Sequence, residues 1–401
     1  MIEGYNILAF TYADWHASWS TPQQIMARLA PANKVLFVDS PRSFLYFVKP
    51  RDPQGAGVWE GPSLREVGKN MWVYHPPHMF APVGRLPFMA ARQSLRVNGR
   101  ILGAMIRKQM RDLGMRRRPI LWNFSPLHGK AVQYLQRRLT IYDVCDEWAN
   151  YVKHVSGKLT LGWMERELCR GADLVFTGTE SARLKRLEFN TETHVVHHAA
   201  DFDHFSKAAL AATAVPPEIV QLPKPVIGCV GVMDPQRFDV ALIERLSEAR
   251  PHWTFVLVGP ARAGMSLARL EKRANVYLTG NKPIEELPNY LKGMDVLLIP
   301  YQVNEATRDI YPLKLQEYLA TGKPIVSSSL PAVLPYRPHV RVADSHEAFL
   351  PAIEEALASP GDAAARQAVA RANSWDQRIA EKSAHIERLL AMRKESIGAM
   401  R

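Results

Sequence analysis

The chain has 401 residues, 47% of them hydrophobic and 22% charged. That length predicts two domains at about 100–200 residues each, with room for cores that need neither disulfides nor a structural metal, and the composition excludes a disordered or fibrous chain. The net charge of +12 is uneven: residues 1–200 carry 27 Lys and Arg against 16 Asp and Glu, residues 201–401 carry 24 against 23, so the first half is expected to face something anionic.

Residues 1–10 lack the basic region and cleavage site of a signal peptide and read as the approach to a strand. Strands are expected at 5–10 and 34–39, with a helix between them starting near Thr21-Pro22. Further strands follow at 120–124, 139–144 and 174–177, the last preceded by a helix over 159–171. The rhythm resumes with strands at 226–230, 254–258, 275–278, 296–299 and 324–327, separated by helices at 240–250, 284–294 and 313–321. Strands that are apolar along their whole length, alternating with helices, predict parallel sheets covered on both faces. The alternation breaks at 207–225, where Pro216, Pro217, Pro223 and Pro225 accumulate as in a linker. The expected organisation is therefore a domain over 1–206, a linker over 207–225, a domain over 226–373 and a charged helical stretch over 374–401. No apolar run approaches the roughly 18–20 residues of a membrane-spanning helix. Cys145, Cys169 and Cys229 are scattered without C-x-x-C spacing and suit a reducing cytosol.

A basic segment at 87–118 interrupts the first half. Arg92, Arg96 and Arg100 repeat every four residues, Arg107 and Arg111 continue the stripe, and Ala91, Leu95, Leu102, Met105, Ile106 and Leu113 form an adjoining apolar face. From Arg85 to Arg118 there are ten basic residues and one acid, Asp112. A helix with one cationic and one apolar face suits an anionic membrane surface; an ordinary solvated surface helix is the alternative. No nucleic-acid motif accompanies the charge.

The segment with the most chemistry runs from Asp295 to Ser328. A strand and a loop lead to Tyr311-Pro312, where a helix begins that Gly322 and Pro324 stop. Pro312 and Leu313 set the start of that helix, where unpaired N–H groups and the helix dipole favour an anion, and Lys314 adds a full charge in the first turn. Glu317 lies one turn on, on the same face, where a carboxylate can accept hydrogen bonds from two ribose hydroxyls. Phosphate and sugar recognition on successive turns describes a nucleotide site. Gly231 closes a strand where a side chain would obstruct a diphosphate, although a plain strand-to-turn glycine reads the same way. Arg237 is placed to neutralise a phosphate, and Arg308 flanks the Lys314 helix, as a surface arginine also would.

Here the chain resembles the GT-B glycosyltransferases, in many of which two acids with seven residues between them precede a G-x-P-V-V strand. In this sequence the pair is Asp309 and Glu317, with Asp where that pattern has Glu. More closely it resembles bacterial envelope-polysaccharide glycosyltransferases of the teichuronic-acid type, through Asp14-Trp15, Thr21-Pro-Gln-Gln-Ile-Met26, Ile141-Tyr-Asp-Val-Cys-Asp146-Glu-Trp148, Val226-Ile-Gly-Cys-Val-Gly231 and Pro312-Leu-Lys314. The resemblance implies two Rossmann-like, doubly wound α/β domains facing across a cleft, with the final helix crossing back to the first domain. It places Gly280 near the nucleotide base. The loop carrying Asp146 is also similar to that of the xanthan glucuronosyltransferase family, an inverting family in which the matching aspartate is the catalytic base. Capping of the following helix is the other use of Asp146, and Glu147 is the alternative acid. Asp14 and His16, after the first strand, are expected to line the same cleft and to orient the acceptor or act as base.

Asp201-Phe-Asp203 matches a D-x-D metal motif, but GT-B enzymes as a class do not depend on that site, and the histidines at 194, 197, 198 and 204 fit no tight zinc spacing. No metal and no cofactor are expected. The reading is a glycosyltransferase taking a sugar from a UDP- or GDP-sugar donor to a hydroxyl of a saccharide acceptor, lipid-linked through a polyprenyl diphosphate, in envelope or exopolysaccharide synthesis. The Asp309/Glu317 pair resembles retaining enzymes and Asp146 an inverting one; the balance favours inversion. The expected place is cytoplasmic, peripheral on the inner face of the cell membrane, with an anionic membrane surface and no nucleic acid as partner. The alternatives are a nucleotide-sugar epimerase on the same fold and a non-catalytic sugar-nucleotide-binding protein.

Overall fold

A computed structural model describes residues 1–12, 14–16, 20–39, 62–77, 88–148, 155–308 and 310–399. The chain divides into two compact units: unit 1 holds residues 1–196 and 379–401, and unit 2 holds residues 197–378.

Unit 1 runs β1 (Asn6–Phe10), α1 (Thr21–Leu29), β2 (Lys34–Val38), β3 (Ser63–Gly68), β4 (Met71–His75), α2 (Phe88–Asp112), β5 (Ile120–Asn123), α3 (Gly129–Val132), β6 (Leu139–Val144), α4 (Val155–Gly171), β7 (Leu174–Thr177), α5 (Glu180–Leu187) and β8 (Thr193–Val195). Its eight strands lie in the order β3-β4-β2-β1-β5-β6-β7-β8, parallel except for β3, which pairs antiparallel with β4. Strands β1, β5, β6 and β7 are buried at every position because helices cover both faces.

Unit 2 runs α6 (Phe202–Phe205), α7 (Pro217–Val220), β9 (Val226–Val230), α8 (Val240–Ala249), β10 (Thr254–Val258), β11 (Val276–Gly280), α9 (Leu287–Gly293), β12 (Val296–Ile299), α10 (Leu313–Thr321), β13 (Ile325–Ser328), β14 (Arg341–Ala343), α11 (His346–Ala358) and α12 (Ala363–Ala372). The sheet order is β11-β10-β9-β12-β13-β14, all parallel. One face carries Val226, Val230, Val256, Leu297 and Ile325 against α9 and α10. The other carries Ile227, Cys229, Phe255, Leu257 and Leu298 against α8 and α11. The last helix, α13 (Trp375–Ala399), belongs to unit 1 from Ile379 onward. There Lys382 pairs with buried Asp143, the Ser383 hydroxyl accepts from the Ile2 N–H, and Ile379 and Ile386 are fully buried.

Two readings need revision. The unit boundary falls at Val196/His197, ten residues before 206, and residues 207–225 are no free linker. Ala208, Ile219 and Leu222 are buried in the same core as α9 and α10; the prolines break regular structure without removing the apolar residues that anchor the segment. The basic segment is indeed one helix, α2, but its apolar face is not offered to a membrane. Ala91, Leu102 and Ile106 are buried, and the latter two join the core with Leu8, Phe10 and Leu36, while Leu95, Met105 and Leu113 are half-buried. No helix among the described residues is long and apolar enough to cross a membrane.

Candidate active site

In open parallel sheets ligands bind beyond the carboxyl ends of the strands, where the strand order reverses. In unit 2 that point lies between β9 and β12. Strand β9 ends in Gly231, whose φ of 128° is a left-handed value that an L side chain avoids. Its N–H donates to the Val258 carbonyl at 2.8 Å, and the Gly259 N–H donates to the Gly280 carbonyl at 2.8 Å, so three strand ends close on glycines. Gly259 was not singled out by the sequence, yet a Cβ there would stand 2.3 Å from the Gly231 carbonyl oxygen.

Lys314 fills this corner. Helix α10 starts at Leu313 behind Pro312 and ends at Gly322 in a left-handed cap. In its first turn the Lys314 side chain runs inward, only 7% exposed, with Nζ 3.7 Å from the Cys229 sulfur and 4.9 Å from the centre of the Tyr301 ring. A Cβ on Gly231 would come within 3.2 Å of Nζ, so the glycine is what keeps space open in front of the ammonium. Burial pulls Lys314 toward neutrality, but Cys229, Tyr301 and Glu317 outweigh it and hold the group above the ordinary lysine range. Glu317, half-buried one turn on, has its carboxyl pushed up to about 7 by burial, with Lys314 pulling the other way. Tyr318, on the same helix, donates to the Val230 carbonyl at 3.2 Å and accepts from the Val230 N–H at 2.7 Å, fixing α10 to the end of β9.

The remaining donor-side residues are less concentrated. Arg237 sits half-buried in the turn before α8, and its backbone carbonyl accepts from the Gln302 N–H at 2.8 Å, joining that turn to the loop before α10. That loop is closed by Asn304 and Thr307, which exchange hydrogen bonds of 2.9 and 3.0 Å, and it leaves Arg308 exposed. Gly280 has a φ of 69° with nothing near its missing Cβ. Asp309 lies outside the described residues. His197 stacks on Tyr311 with centroids 5.1 Å apart, so this histidine supports the start of α10.

In unit 1 the strand order reverses between β1 and β5, and the β1 and β6 loops flank that point. Asp146 is half-buried after β6, and both it and Cys145 act on the Tyr12 hydroxyl, which burial above all holds well above its ordinary range. Asp143, three residues earlier, is committed to the Trp122 indole N–H at 3.1 Å and to Lys382. Glu147 is committed too, 2.5 Å from buried Arg186, so it is a poor alternative base. His16 is exposed. The Asp14 carboxylate lies beside Asp39 and His75, two residues that sequence reasoning did not single out. Burial first, and the charge of Asp14 next, push the Asp39 carboxyl up to about 6. Asp39 ends a strand the sequence revealed, but His75 ends β4, which the sequence reading did not identify.

The arginine stripe of α2 is divided. Arg92 lies 4.7 Å over the Trp163 ring, Arg100 lies 5.6 Å over the Tyr134 ring, and Arg107 donates to the Tyr134 carbonyl at 2.5 Å. These contacts tie the helix layer together although Arg100 and Arg107, like Arg96 and Arg111, are exposed. Asp201 of the D-x-D pattern caps α6 through the His204 N–H at 3.1 Å, and His204 itself bonds the Ile284 carbonyl at 2.7 Å.

The segment that holds Gly231, Arg237, Gly280, Lys314 and Glu317 lies within residues 224–359, which match the family described as glycosyl transferases group 1. Residues 224–359 are a group 1 glycosyltransferase domain. A Bacillus subtilis protein named as a teichuronic acid biosynthesis glycosyltransferase, TuaH, is 28% identical over 256 residues. That alignment spans 59% of this chain and 64% of the relative, a little under two thirds of its length. Among solved structures, sucrose-phosphate synthase from Thermosynechococcus elongatus superposes with a TM-score of 0.65 at 15% identity, covering 97% of this chain and all of that one. The Escherichia coli trehalose-6-phosphate protein solved with UDP-2-fluoro glucose gives 0.66 at 14% identity, covering 96% and 99%. An Anabaena protein, HepE, solved with UDP and glucose, gives 0.61 at 14%, covering 95% and 100%. At these identities the likeness is one of fold: the glycosyltransferase domain is the second of two parallel-sheet α/β units of the GT-B type.

Proposed function

We propose that the chain transfers a sugar from a nucleotide-diphosphate donor, held by the glycosyltransferase domain, to a hydroxyl of a saccharide acceptor bound by unit 1. The observation that carries this reading is the buried Lys314 ammonium behind the Gly231 corner, one helical turn from Glu317. A buried cation at a helix start is complementary to a diphosphate, and a carboxylate one turn on suits the ribose diol. The two neighbours solved with UDP ligands favour a uridine donor.

In the reaction Asp146 takes the proton of the acceptor hydroxyl, whose oxygen attacks the anomeric carbon as the bond to the diphosphate breaks. Lys314 and the start of α10 receive the charge that develops on the leaving phosphate. Attack from the face opposite the leaving group inverts the anomeric centre. The +11 excess of residues 1–200, with exposed Arg96, Arg111, Met89 and Val97 on α2, favours an acceptor that is lipid-linked through a diphosphate and a protein that works peripherally at the inner, anionic face of the cell membrane, in envelope polysaccharide synthesis.

A thermal-shift panel of nucleoside diphosphates and their sugars tests the donor half, because a ligand of the folded state raises the melting temperature. UDP or GDP is expected to stabilise the wild type, and Lys314→Met to weaken that binding about 10–100-fold, the worth of one charge-assisted contact. Equal shifts in both proteins would remove Lys314 from the site. Asp146→Asn should keep the shift and abolish transfer; sugar release or rearrangement without any acceptor would instead point to an epimerase.

A further inference from the structure

Three loops of unit 1 bring chemistry to one corner that the transfer reaction above does not use. Asp14 follows β1, Asp39 follows β2 and His75 ends β4, three neighbouring strands that all finish at the same edge of the sheet. One ligand atom from each lies within 4.8 Å of the others. The Asp39 side chain is 7% exposed and that of His75 13%, so these are not solvated surface groups.

The corner is held by backbone. The Asp39 N–H donates to the Tyr74 carbonyl at 3.0 Å, which sets the Asp39 and His75 positions side by side. The Trp15 N–H donates to Asp39 Oδ1 at 2.9 Å, and Gln23 Nε2 donates to the Asp14 carbonyl at 3.2 Å, which pin the β1 loop over Asp39. This arrangement leaves Asp39 Oδ2 facing His75 Nδ1 at 3.5 Å. A charge-assisted hydrogen bond between them would be roughly 2.7–2.9 Å, so the pair stands apart at the outer limit of bonding. His128, 2% exposed, also reaches the Asp39 backbone.

From this geometry we infer that Asp14, Asp39 and His75 form a site for a divalent transition-metal ion of the Mn²⁺ or Zn²⁺ class. Two carboxylates drawn together in a largely dry corner repel, and a cation between them removes that cost. In a tetrahedral shell, ligands at about 2.0–2.2 Å from the ion lie roughly 3.3–3.6 Å apart. Asp39 Oδ2 and His75 Nδ1 already stand at 3.5 Å, and the Asp14 oxygen, within 4.8 Å of both, has to close by about an ångström. Two carboxylates and one imidazole suit Mn²⁺ or Zn²⁺ rather than the all-oxygen shells of Ca²⁺ and Mg²⁺. Three protein ligands leave further positions for water or for an oxygen of a bound molecule. The sequence led to the expectation of no metal anywhere in the chain; this site, which belongs to unit 1 alone, departs from that reading.

The test uses the full chain, stripped with EDTA and dialysed. Titration with Mn²⁺, followed by the spin-resonance signal of the free ion, and with Zn²⁺ by calorimetry, is expected to show one equivalent bound at micromolar or better affinity. Asp39→Asn and His75→Ala should each weaken binding at least tenfold, and His16→Ala, which alters an exposed histidine nearby in sequence, should not. Circular dichroism shows whether the variants fold; should Asp39→Asn fail, Asp14→Asn is the substitute, with the same expected loss. The inference is overturned if the wild type binds neither ion above the level of the His75→Ala protein, or if the loss follows His16 instead. It does not depend on the donor assignment: Lys314→Met should bind the ion as the wild type does.

Discussion

Glu317 owes its behaviour to a half-buried place beside a buried lysine. With its carboxyl pushed up to about 7 from the ordinary 4.5, it retains a proton in the folded chain that the unfolded chain releases. Between about pH 4.5 and 7 the folded state therefore binds more protons, and this group's contribution to stability is present at the lower end and lost as pH rises through about 7. Ribose hydroxyls donate best to the ionised form, so nucleotide affinity should change in the opposite sense, rising several-fold from pH 6 to pH 8. Glu317→Gln should flatten that profile; calorimetry with UDP at several pH values in one buffer series checks it, and an unchanged slope would take the carboxylate out of the ribose contact. The spacing of Lys314 and Glu317 was legible because a helix places i and i+3 on one face whatever its surroundings. Gly259 was not legible, since its need for a missing side chain comes from Gly231 on the adjacent strand.

Helix α2 carries Gly99 and Gly103, which in isolation weaken a helix by about 1 kcal/mol each relative to Ala. Their use is packing. A Cβ on Gly99 would stand 2.7 Å from the Lys130 backbone carbon, and one on Gly103 would stand 3.0 Å from the Tyr134 Cβ, so α2 lies closely over α3. Gly99→Ala is thus expected to destabilise by about 1–2 kcal/mol, because overpacking at about 1–3 kcal/mol exceeds the gain in helix propensity. Gly162→Ala in α4 is the matched control: its Cβ would meet only the end of the Arg166 side chain at 3.4 Å. That change should be neutral or stabilising by up to about 1 kcal/mol. Urea denaturation of the two variants measures the difference, and equal midpoints would mean that the helices separate freely. The hydrophobic pattern announced this helix correctly, and its arginine periodicity was real. What the pattern lacked was the identity of the surface underneath: the apolar stripe meets a sheet, and Arg92 and Arg100 meet aromatic rings.

At the scale of the molecule, α13 ties the end of the chain into unit 1. Beyond Arg378 it buries Ile379, Ile386 and Leu390 and sets Lys382 against Asp143. Burying three such side chains is worth roughly 4–9 kcal/mol at about 1.5–3 kcal/mol each, and a lost Lys382 leaves a buried carboxylate uncompensated. A chain ending at Arg378 should therefore unfold in two separated steps in calorimetry, with unit 1 melting first. UDP should still raise the second transition, since Lys314, Glu317 and Gly231 all lie in unit 2. A truncated chain that melts as a single step at the wild-type temperature would show that α13 does not stabilise unit 1.

The sequence by itself determined the two α/β units, most of their buried strands and the Lys314 helix, because each of these is written in local periodicity and in residues a few positions apart. Tertiary structure decided the rest. It gave residues 207–225 to unit 2, since burial of Ile219 and Leu222 outweighs the prolines around them. It found the edge hairpin β3–β4, whose exposed Arg65 and Glu66 conceal a strand whose inner residues alone are apolar. It joined Asp14, Asp39 and His75, which are 25 and 36 residues apart in succession. Contacts of that kind depend on which strands become neighbours, and strand order is a property of the folded sheet, not of any one segment.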